Sequence, residues 1–391
     1  MRIPLMRKAF LREEETKKAL ANFIILADRL SMDVECRKFE IKFAAFQGSK
    51  HAVLFNSGAS ANLAMLQALK NLGKLKEGDK IGFSALTWST NTMPILQLGM
   101  IPVVIDVRPD VINTTSENLL ERLETTVLQA LFITNILGFT GDIDVIRKIC
   151  IDKNIILIED NCESLGTQLP EGKAGNFGIG ASFSFFVAHH MSTIEGGMVC
   201  TSDDEFAEML TMVRANGWDR NLTTEQQQKW RSQHGIESDF QAKYTFYDLA
   251  YNFRPTEITG FLGQYQMKFL GENILKREQN YLRIEKSVKN NPDFISLKHS
   301  HIKTLSTFAF PFVCKTPELR DYYLQKFQAA GVEIRPMIAG NMQEQPFYKK
   351  YISIIYDMPG ASMMHSNGFY SGNYPELLED DLVLIENLLK K

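Results

Sequence analysis

Two adjacent histidines, His189 and His190, are the residues of this chain best suited to move protons. They follow an aromatic run at 183–186 and precede a Gly-Gly turn at 196–197. An imidazole accepts and releases a proton near neutral pH, so either ring could serve as a general base and then as a general acid. Taken alone, two histidines after a buried strand more often have only a structural place in the core or at the surface. The surrounding sequence must therefore show whether this pair has a catalytic role.

An acidic pair follows another apolar run. Asp160 ends the run at 155–160, and Glu163 comes shortly after it. When buried parallel strands alternate with helices, ligands lie beyond the carboxyl ends of the strands, and Asp160 occupies such an end. We expect Asp160 to face a ligand; the alternative is an Asp that caps the next helix.

A turn of small residues lies between an apolar run at 52–55 and a helical pattern that continues to Leu69. Unpaired backbone N–H groups at the first turn of a helix, approached closely past small side chains, form a seat for a phosphate. The same turn could be an ordinary helix cap. The residues of this turn are Ser57, Gly58, Ala59 and Ser60.

Four further side chains have types that suit ligand binding. Trp88 follows a predicted strand at 80–84, where its ring could stack on a flat ligand; the alternative is a large core residue. Ser184 is a second candidate for contact with a phosphate. Arg220 and Arg254 could each hold a carboxylate through a bidentate pair, although a solvated ion pair is the ordinary role of a single arginine.

The elements that must position these residues alternate along the chain. The apolar runs predict buried strands of an α/β, mostly parallel sheet, and helical periodicity at 10–48, broken at 30–33, predicts two helices that wrap it. From about 270 to 391, helix and strand alternate again. We therefore expect an N-terminal segment and large domain at 1–260 and a smaller C-terminal α/β domain at 261–391.

Composition excludes several classes of function. The 391 residues carry 43 basic and 46 acidic side chains, a formal net charge of −3, without a basic stripe for nucleic acid or a polybasic patch for a membrane. No apolar run approaches membrane-spanning length. The five cysteines are scattered, which predicts neither disulfides nor a metal site and fits a reducing cytoplasm. A polar stretch at 221–239 predicts a surface excursion.

The run at 182–199 resembles the signature of the DegT/DnrJ/EryC1/StrS aminotransferase family, in which an aromatic strand is followed by a lysine and a Gly-Gly turn. These are fold-type I pyridoxal-phosphate (PLP) enzymes with an aspartate aminotransferase-like fold. His189 stands where the family carries the lysine that binds the cofactor covalently, and an imidazole cannot form that bond. The resemblance is therefore to one branch, the 3-dehydratases of nucleotide-linked 4-keto-6-deoxyhexoses, and it selects His189 over His190.

The resemblance covers nearly the whole chain and implies a role for each candidate in the cofactor pocket. Trp88 is implied to stack on the cofactor ring, Asp160 to pair with its pyridine nitrogen, and Glu163 to lie near its ring oxygen. Most aminotransferases of the family have Gln or His in place of Glu163, and the dehydratase branch often has an acidic residue there. The residues implied to contact the cofactor phosphate are Ser57, Gly58, Ala59, Ser60 and Ser184, with Ala59 where the family has Ser or Thr.

A second segment, 249–257, resembles the family's G-Y-N-x-R motif, with Ala250 in place of the glycine. Asn252 is implied to reach across the interface of a homodimer to the cofactor phosphate of the other subunit, which places the active site at that interface. Arg220 and Arg254 are the candidates to hold the carboxylate of the amino donor, because a planar guanidinium forms bidentate pairs.

The implied reaction removes the C3 hydroxyl of a nucleotide diphosphate-linked 4-keto-6-deoxyhexose, as in 3,6-dideoxyhexose and O-antigen lipopolysaccharide biosynthesis. Pyridoxamine phosphate (PMP), held noncovalently, would be restored from PLP by L-glutamate, and His189 would take and return the proton. No cysteine lies between Cys200 and Cys314, so the resemblance is to the type without an iron–sulfur cluster, for which a GDP-sugar is favoured. The alternatives are a PLP-dependent sugar aminotransferase and a noncatalytic relative.

Overall fold

A computed structural model describes residues 2–391 as two main β-sheets and a short hairpin with helices packed against them. The strands are β1 (His51–Phe55), β2 (Lys80–Ser84), β3 (Ile101–Ile105), β4 (Ala130–Thr134), β5 (Ile156–Asp160), β6 (Gln168–Leu169), β7 (Gly172–Lys173), β8 (Gly180–Ser184), β9 (Gly197–Thr201), β10 (Ala309–Val313), β11 (Ile334–Pro336) and β12 (Gly368–Gly372). The α-helices are α1 (Glu13–Leu26), α2 (Val34–Gln47), α3 (Gly58–Asn71), α4 (Met93–Gln97), α5 (Ser116–Thr125), α6 (Ile143–Asp152), α7 (Asp204–Val213), α8 (Thr224–Gln233), α9 (Asp239–Ala242), α10 (Glu257–Lys289), α11 (Pro317–Ala329), α12 (Pro346–Tyr351), α13 (Pro359–Asn367) and α14 (Glu379–Leu388).

The larger sheet has the strand order β1-β9-β8-β5-β4-β2-β3. From β8 to β3 the neighbouring strands are parallel, whereas β9 is antiparallel to both β1 and β8. Since β1 consequently runs in the same direction as β8, the carboxyl ends of β1, β2, β4, β5 and β8 lie at one edge of the sheet. The predicted mostly parallel sheet is confirmed, and this edge collects the segments that carry most of the predicted site residues.

Helices can cover both faces of this sheet because its strands are apolar on both sides. All residues of β4, β8 and β9 are buried, as expected for strands shielded on both faces. Phe39 and Phe43 of α2 pack against Phe185, just past β8, and Phe43 also packs edge-on against Phe183. Burial of each such ring contributes roughly 1.5–3 kcal/mol, so this cluster fixes the strand that leads to His189.

The smaller sheet has the antiparallel order β10-β12-β11. Helix α10, 33 residues long, packs against α1 and α2 beside the larger sheet and against β10 and α14 of the C-terminal part. The predicted boundary between residues 260 and 261 falls within the first turns of α10. The division into two domains at that point stays a prediction.

The two helices predicted within residues 10–48 are confirmed as α1 and α2. The stretch at 221–239, predicted as a surface excursion, contains α8, which has no buried residue. The helix itself was not predicted, because it has no apolar periodicity. Strand β12 was also missed, because its sequence begins and ends with glycine, which disfavours strands. Among residues 2–391, no helix combines the length and the apolar character needed to span a membrane.

Candidate active site

A cavity of about 430 Å³ opens at the carboxyl edge of the larger sheet. The predicted site residues that line it are Ser57, Gly58, Ala59, Trp88, Asp160, Glu163, Ser184 and His189. The other lining residues are Thr90, Thr134, Cys162, Phe186, Ala188 and Glu195, together with Phe308, Ile338 and Tyr370 from the C-terminal part. The structure thus gathers most of the candidates, from distant parts of the sequence, around one space.

The N-terminus of α3 closes one end of the cavity. The Ser57 hydroxyl accepts the backbone N–H of Ser60 at 3.1 Å, and the Ser60 hydroxyl accepts the N–H of Ser57 at 3.1 Å. The N–H groups of Gly58 and Ala59 have no acceptor within the helix and are available to an anion. A Cβ at position 58 would lie 2.8 Å from the Cβ of Ser184, so glycine lets the helix end sit directly against β8.

The carboxylate of Asp160 lies on the cavity wall at the end of β5, and the residue is 3% exposed. Its Oδ2 accepts the side-chain amides of Asn62 at 2.9 Å and Asn91 at 2.8 Å, and its Oδ1 accepts the backbone N–H of Cys162 at 2.9 Å. Three donors from different segments satisfy this buried carboxylate and fix its orientation. The side chain can therefore face a ring nitrogen in the cavity without moving.

The two histidines have different surroundings. His189 lines the cavity, and its Nδ1 is buried without a hydrogen-bond partner in the described chain. His190 is 1% exposed, and its Nε2 lies 3.0 Å from the carbonyl oxygen of Ser306. His190 is consequently occupied in the interior, and the geometry agrees with the choice of His189 made from the sequence motif.

The environment of His189 favours a neutral imidazole. Burial lowers the pKa of His189 to about 4; the carboxylate of Asp160 opposes this change, and the positive charge of Arg277 adds to it. At neutral pH the ring is therefore unprotonated and able to accept a proton. The ring of Phe308, from the C-terminal part of the chain, lies 5.4 Å from the imidazole, centroid to centroid. It covers one side of the imidazole.

Glu163 is a second titratable group on the cavity wall. Burial and, to a smaller extent, the negative charge of Asp160 raise the pKa of Glu163 to about 8. The backbone N–H of Leu137, which donates to Oε2 of Glu163 at 2.9 Å, opposes this rise in part. Leu137 adopts a left-handed conformation, with φ of 50°, to present that N–H. At neutral pH the carboxyl group is largely protonated, so it can donate a hydrogen bond to an oxygen in the cavity.

Four predicted site residues do not line this cavity. Ser60 is buried behind it, with its hydroxyl engaged in the helix cap. Asn252 and Arg254 lie exposed side by side, where Nε of Arg254 donates to Oδ1 of Asn252 at 2.9 Å. Arg220 lines a separate cavity of about 360 Å³ and places its guanidinium 4.1 Å from the centre of the Trp218 ring. The ligand contacts predicted for these four residues stay predictions.

Sequence reasoning missed four residues that support the site. These are Asn62 and Asn91, which hold Asp160, and Phe308 and Tyr370, which close the cavity. Asn91 lies in a 3₁₀ helix at Ser89–Asn91 that begins just after Trp88, and this closeness in sequence was a usable signal. The two C-terminal residues reach the cavity only through the packing of the C-terminal part, which no local pattern reveals.

The groups around the cavity suit an aromatic ring that carries a phosphate. The hydroxyls of Ser57 and Ser184 and the start of α3 can take the phosphate, Asp160 can face a ring nitrogen, and Trp88 can cover the ring. PLP is such a molecule, and the residues fit it. Fold and cavity together are those of a fold-type I PLP enzyme. In residues 2–391, no cluster of three or more His, Cys, Asp or Glu side chains is arranged to hold a metal ion.

The chain belongs to the DegT/DnrJ/EryC1/StrS aminotransferase family, whose model matches residues 11–389. It is 33% identical to GDP-4-keto-6-deoxy-D-mannose 3-dehydratase of Escherichia coli O55:H7 over 90% of this chain and 91% of that protein. A protein of the same name from Yersinia pseudotuberculosis is 32% identical, over 94% of each chain.

One similar solved structure is that of GDP-4-keto-6-deoxymannose-3-dehydratase with a trapped PLP–glutamate geminal diamine. It matches with a TM-score of 0.90 and 31% identity, covering 99% of this chain and 100% of that one. The family and the aspartate aminotransferase-like fold predicted from the sequence are confirmed.

Proposed function

We propose that this protein is a 3-dehydratase of a nucleotide-linked 4-keto-6-deoxyhexose. It removes the C3 hydroxyl and yields a 3-deoxy-4-keto sugar for 3,6-dideoxyhexose and O-antigen synthesis. A GDP-sugar is the favoured substrate, because two relatives at about one-third identity carry that substrate in their names. The cofactor is PMP, regenerated from PLP by L-glutamate, in keeping with the PLP–glutamate adduct of the structural neighbour.

One observation supports this proposal: the side chain that could transfer protons in the cavity shared by Ser57 and Asp160 is the imidazole of His189. None of the described residues that line the cavity is a lysine. A side chain that cannot form an imine leaves the cofactor unattached, yet it can still move protons. This combination favours elimination over the amine transfer that a lysine supports.

The cofactor, when bound, would supply an amine reactive toward the sugar ketone and a ring that accepts electrons when a C–H bond breaks. Asp160, held by three donors, would pair with the ring nitrogen and keep it protonated. Neutral His189 accepts the proton released when that C–H bond breaks. The resulting imidazolium gives a proton to the C3 oxygen of the sugar, which departs as water. Phe308 and Ile338 limit the access of bulk water to these steps.

We further propose that the active site is completed in a homodimer. Trp88, Phe186 and Ile194 expose 56%, 43% and 52% of their surface around the cavity. Residues 216–254, which we call the arm, expose Tyr244 and Leu249 at 73% and 72%. Apolar surface of this extent suits a protein interface, and there the exposed Asn252, Arg220 and Arg254 of the arm would approach the cavity of the other subunit.

The same proposal assigns no iron–sulfur cluster to the reaction, because no cysteine lies between Cys200 and Cys314. The five cysteines of the chain are unpaired, and the predicted cytoplasmic location rests on this usage.

The test is mass spectrometry of the product formed from GDP-4-keto-6-deoxymannose by the purified protein supplied with PLP and glutamate. Dehydration predicts a sugar that has lost its C3 oxygen, together with release of ammonia. A sugar aminotransferase would instead give an aminosugar and no ammonia, and a noncatalytic relative would give neither product. An aminosugar as the sole product overturns the proposal.

Cofactor attachment is tested separately by treating the PLP-loaded protein with borohydride and measuring the intact mass. The noncovalent state predicts no increase over the 44.5 kDa chain, whereas an imine would be reduced to a stable adduct. The absorption spectrum before and after addition of glutamate shows, in the same sample, whether PLP is bound and converted to PMP.

A further inference from the structure

A buried arginine lies next to the backbone of the two histidines. Arg277 of α10 is 1% exposed, and its hydrogen bonds in the described chain all go to uncharged groups. Burial of a charged group without a paired opposite charge is costly. Arg277 lies next to the segment that carries His189 and His190, and a role in positioning that segment would explain why a buried charge is retained.

The contacts of Arg277 hold the backbone of the histidine pair. Its Nε donates to Oδ1 of Asn273 at 2.6 Å, its Nη1 to the carbonyl of Asn373, and its Nη2 to the carbonyl of His189 at 3.4 Å. The side chain of Asn273 in turn donates to the carbonyl of His190. Arg277 and Asn273 therefore hold both carbonyls, and Asn373 ties them to the end of the smaller sheet.

We propose that Arg277 is a positioning residue that holds the backbone of the histidine pair and keeps a positive charge beside His189 before each turnover. This inference rests on the proposed function and extends it. A fixed positive charge behind the ring disfavours the imidazolium, so His189 starts as a base and, once protonated, is a stronger acid toward the departing hydroxyl. The proton moves from carbon to imidazole to oxygen, and the oxygen leaves as water without any oxidant or reductant.

The groups around His189 change its pKa in opposite directions. Asp160 favours the imidazolium, whereas burial and the charge of Arg277 oppose it in both histidines. Burial lowers the pKa of Arg277 itself to about 9, so the guanidinium keeps its charge at neutral pH. The titratable groups that line the same two cavities as His189 are His190, Glu195, Asp160, Cys162, Glu163, Lys8, Arg277, Tyr370 and Glu376.

The experiment measures the pKa of His189 directly, by NMR titration of the full chain labelled with ¹³C-histidine, with the His189 signal assigned from His189→Asn. Arg277→Gln is expected to raise the pKa of His189 by about one unit, since it removes the charge and keeps a donor. Arg277→Lys keeps the charge and is expected to leave that pKa within a few tenths of a unit. Arg283→Gln is the matched control.

Arg283 lies on the same helix, half-buried, and pairs with Glu379 and Glu386. Its replacement also removes one positive charge from α10 and should leave the His189 titration unchanged. In the enzyme assay, the acid limb of kcat/KM should rise with the His189 pKa in Arg277→Gln. Arg277→Lys should instead lower kcat without moving that limb, because the planar fork that holds the carbonyls is lost.

An unchanged His189 pKa in Arg277→Gln, or an equal rise in Arg283→Gln, overturns the inference. If Arg277→Gln does not fold, Arg277→Met serves as the second neutral variant. A wild-type His189 that titrates at or above its ordinary value of 6.5 overturns the inference without any variant. Because the titration needs no substrate, it tests Arg277 even if the proposed sugar reaction is wrong.

Discussion

The cavity and the arm at 216–254 are built in opposite ways. In the cavity, Asp160 is 3% exposed and its carboxylate has three donors. On the arm, Arg254 is exposed and bonds to the equally exposed Asn252, and Arg220 rests on the ring of Trp218. Neither arginine has an acidic partner in the described chain.

This difference in burial indicates that the cavity and the arm have different roles. The carboxylate of Asp160 is desolvated and held in place, as proton transfer and cofactor binding require. The cationic groups of the arm remain in water and free to meet an anion. We infer that the cavity sets the reaction, and that the arm supplies binding groups whose ligands come from outside its own subunit.

The largest expected effect comes from the cavity. His189→Asn keeps the size and polarity of the side chain and removes the base, so we expect turnover of the 4-keto sugar to fall by about 10³-fold. Product formation is measured by mass spectrometry, and PLP binding by absorbance. His234→Asn, an exposed histidine of the arm, is the control and should retain activity. Substantial turnover by His189→Asn would remove the imidazole from the mechanism.

A mixing experiment tests whether the arm serves the other subunit. Asn252→Ala should lower activity about 10- to 100-fold through weaker cofactor phosphate binding. If sites are shared, mixing inactive His189→Asn with Asn252→Ala creates dimers with one intact site, and activity should return to about a quarter of wild type at random exchange. No recovery after confirmed subunit exchange would place Asn252 in the site of its own chain.

The same contrast explains which features could be predicted from the sequence. Asp160, Ser57 and His189 follow buried strands that end at one edge, so the apolar runs and the family motifs located them. Tyr370 reaches the cavity from β12, a strand that its glycines concealed, and only the packing of the smaller sheet brings it there. The cost and the effect of burying Arg277 could not be predicted either, because its place on α10 shows no local pattern.

The arginines of the arm should affect the amino donor more than the sugar. Arg254→Ala is expected to raise the KM for glutamate by about 10-fold in the half-reaction that converts PLP to PMP, because a charged hydrogen-bonded contact to a carboxylate is lost. Stopped-flow absorbance of the PLP band measures this step without sugar. Arg283→Ala, which replaces a half-buried and ion-paired arginine outside the arm, is the control. An unchanged KM would show that Arg254 does not bind glutamate.

The last expected effect is on stability and concerns the protonated carboxyl group inside the cavity. The pKa of Glu163, about 8, lies above its ordinary value of 4.5, so the folded state holds this proton more tightly than the unfolded state. That contribution to stability is complete below pH 4.5 and is lost as the pH rises through 8. Glu163→Gln cannot titrate, so its stability relative to wild type should increase by about 4 kcal/mol between pH 5 and pH 9.

Thermal unfolding of both proteins at pH 5 and pH 9 measures this difference as a gain of a few degrees in Tm for the variant at the higher pH. Glu195→Gln, at an exposed position on the same cavity, should keep the pH dependence of wild type. If Glu163→Gln also keeps it, the carboxyl group is ionised in the folded protein. The contrast between a desolvated cavity and a hydrated arm would then not extend to this side of the site.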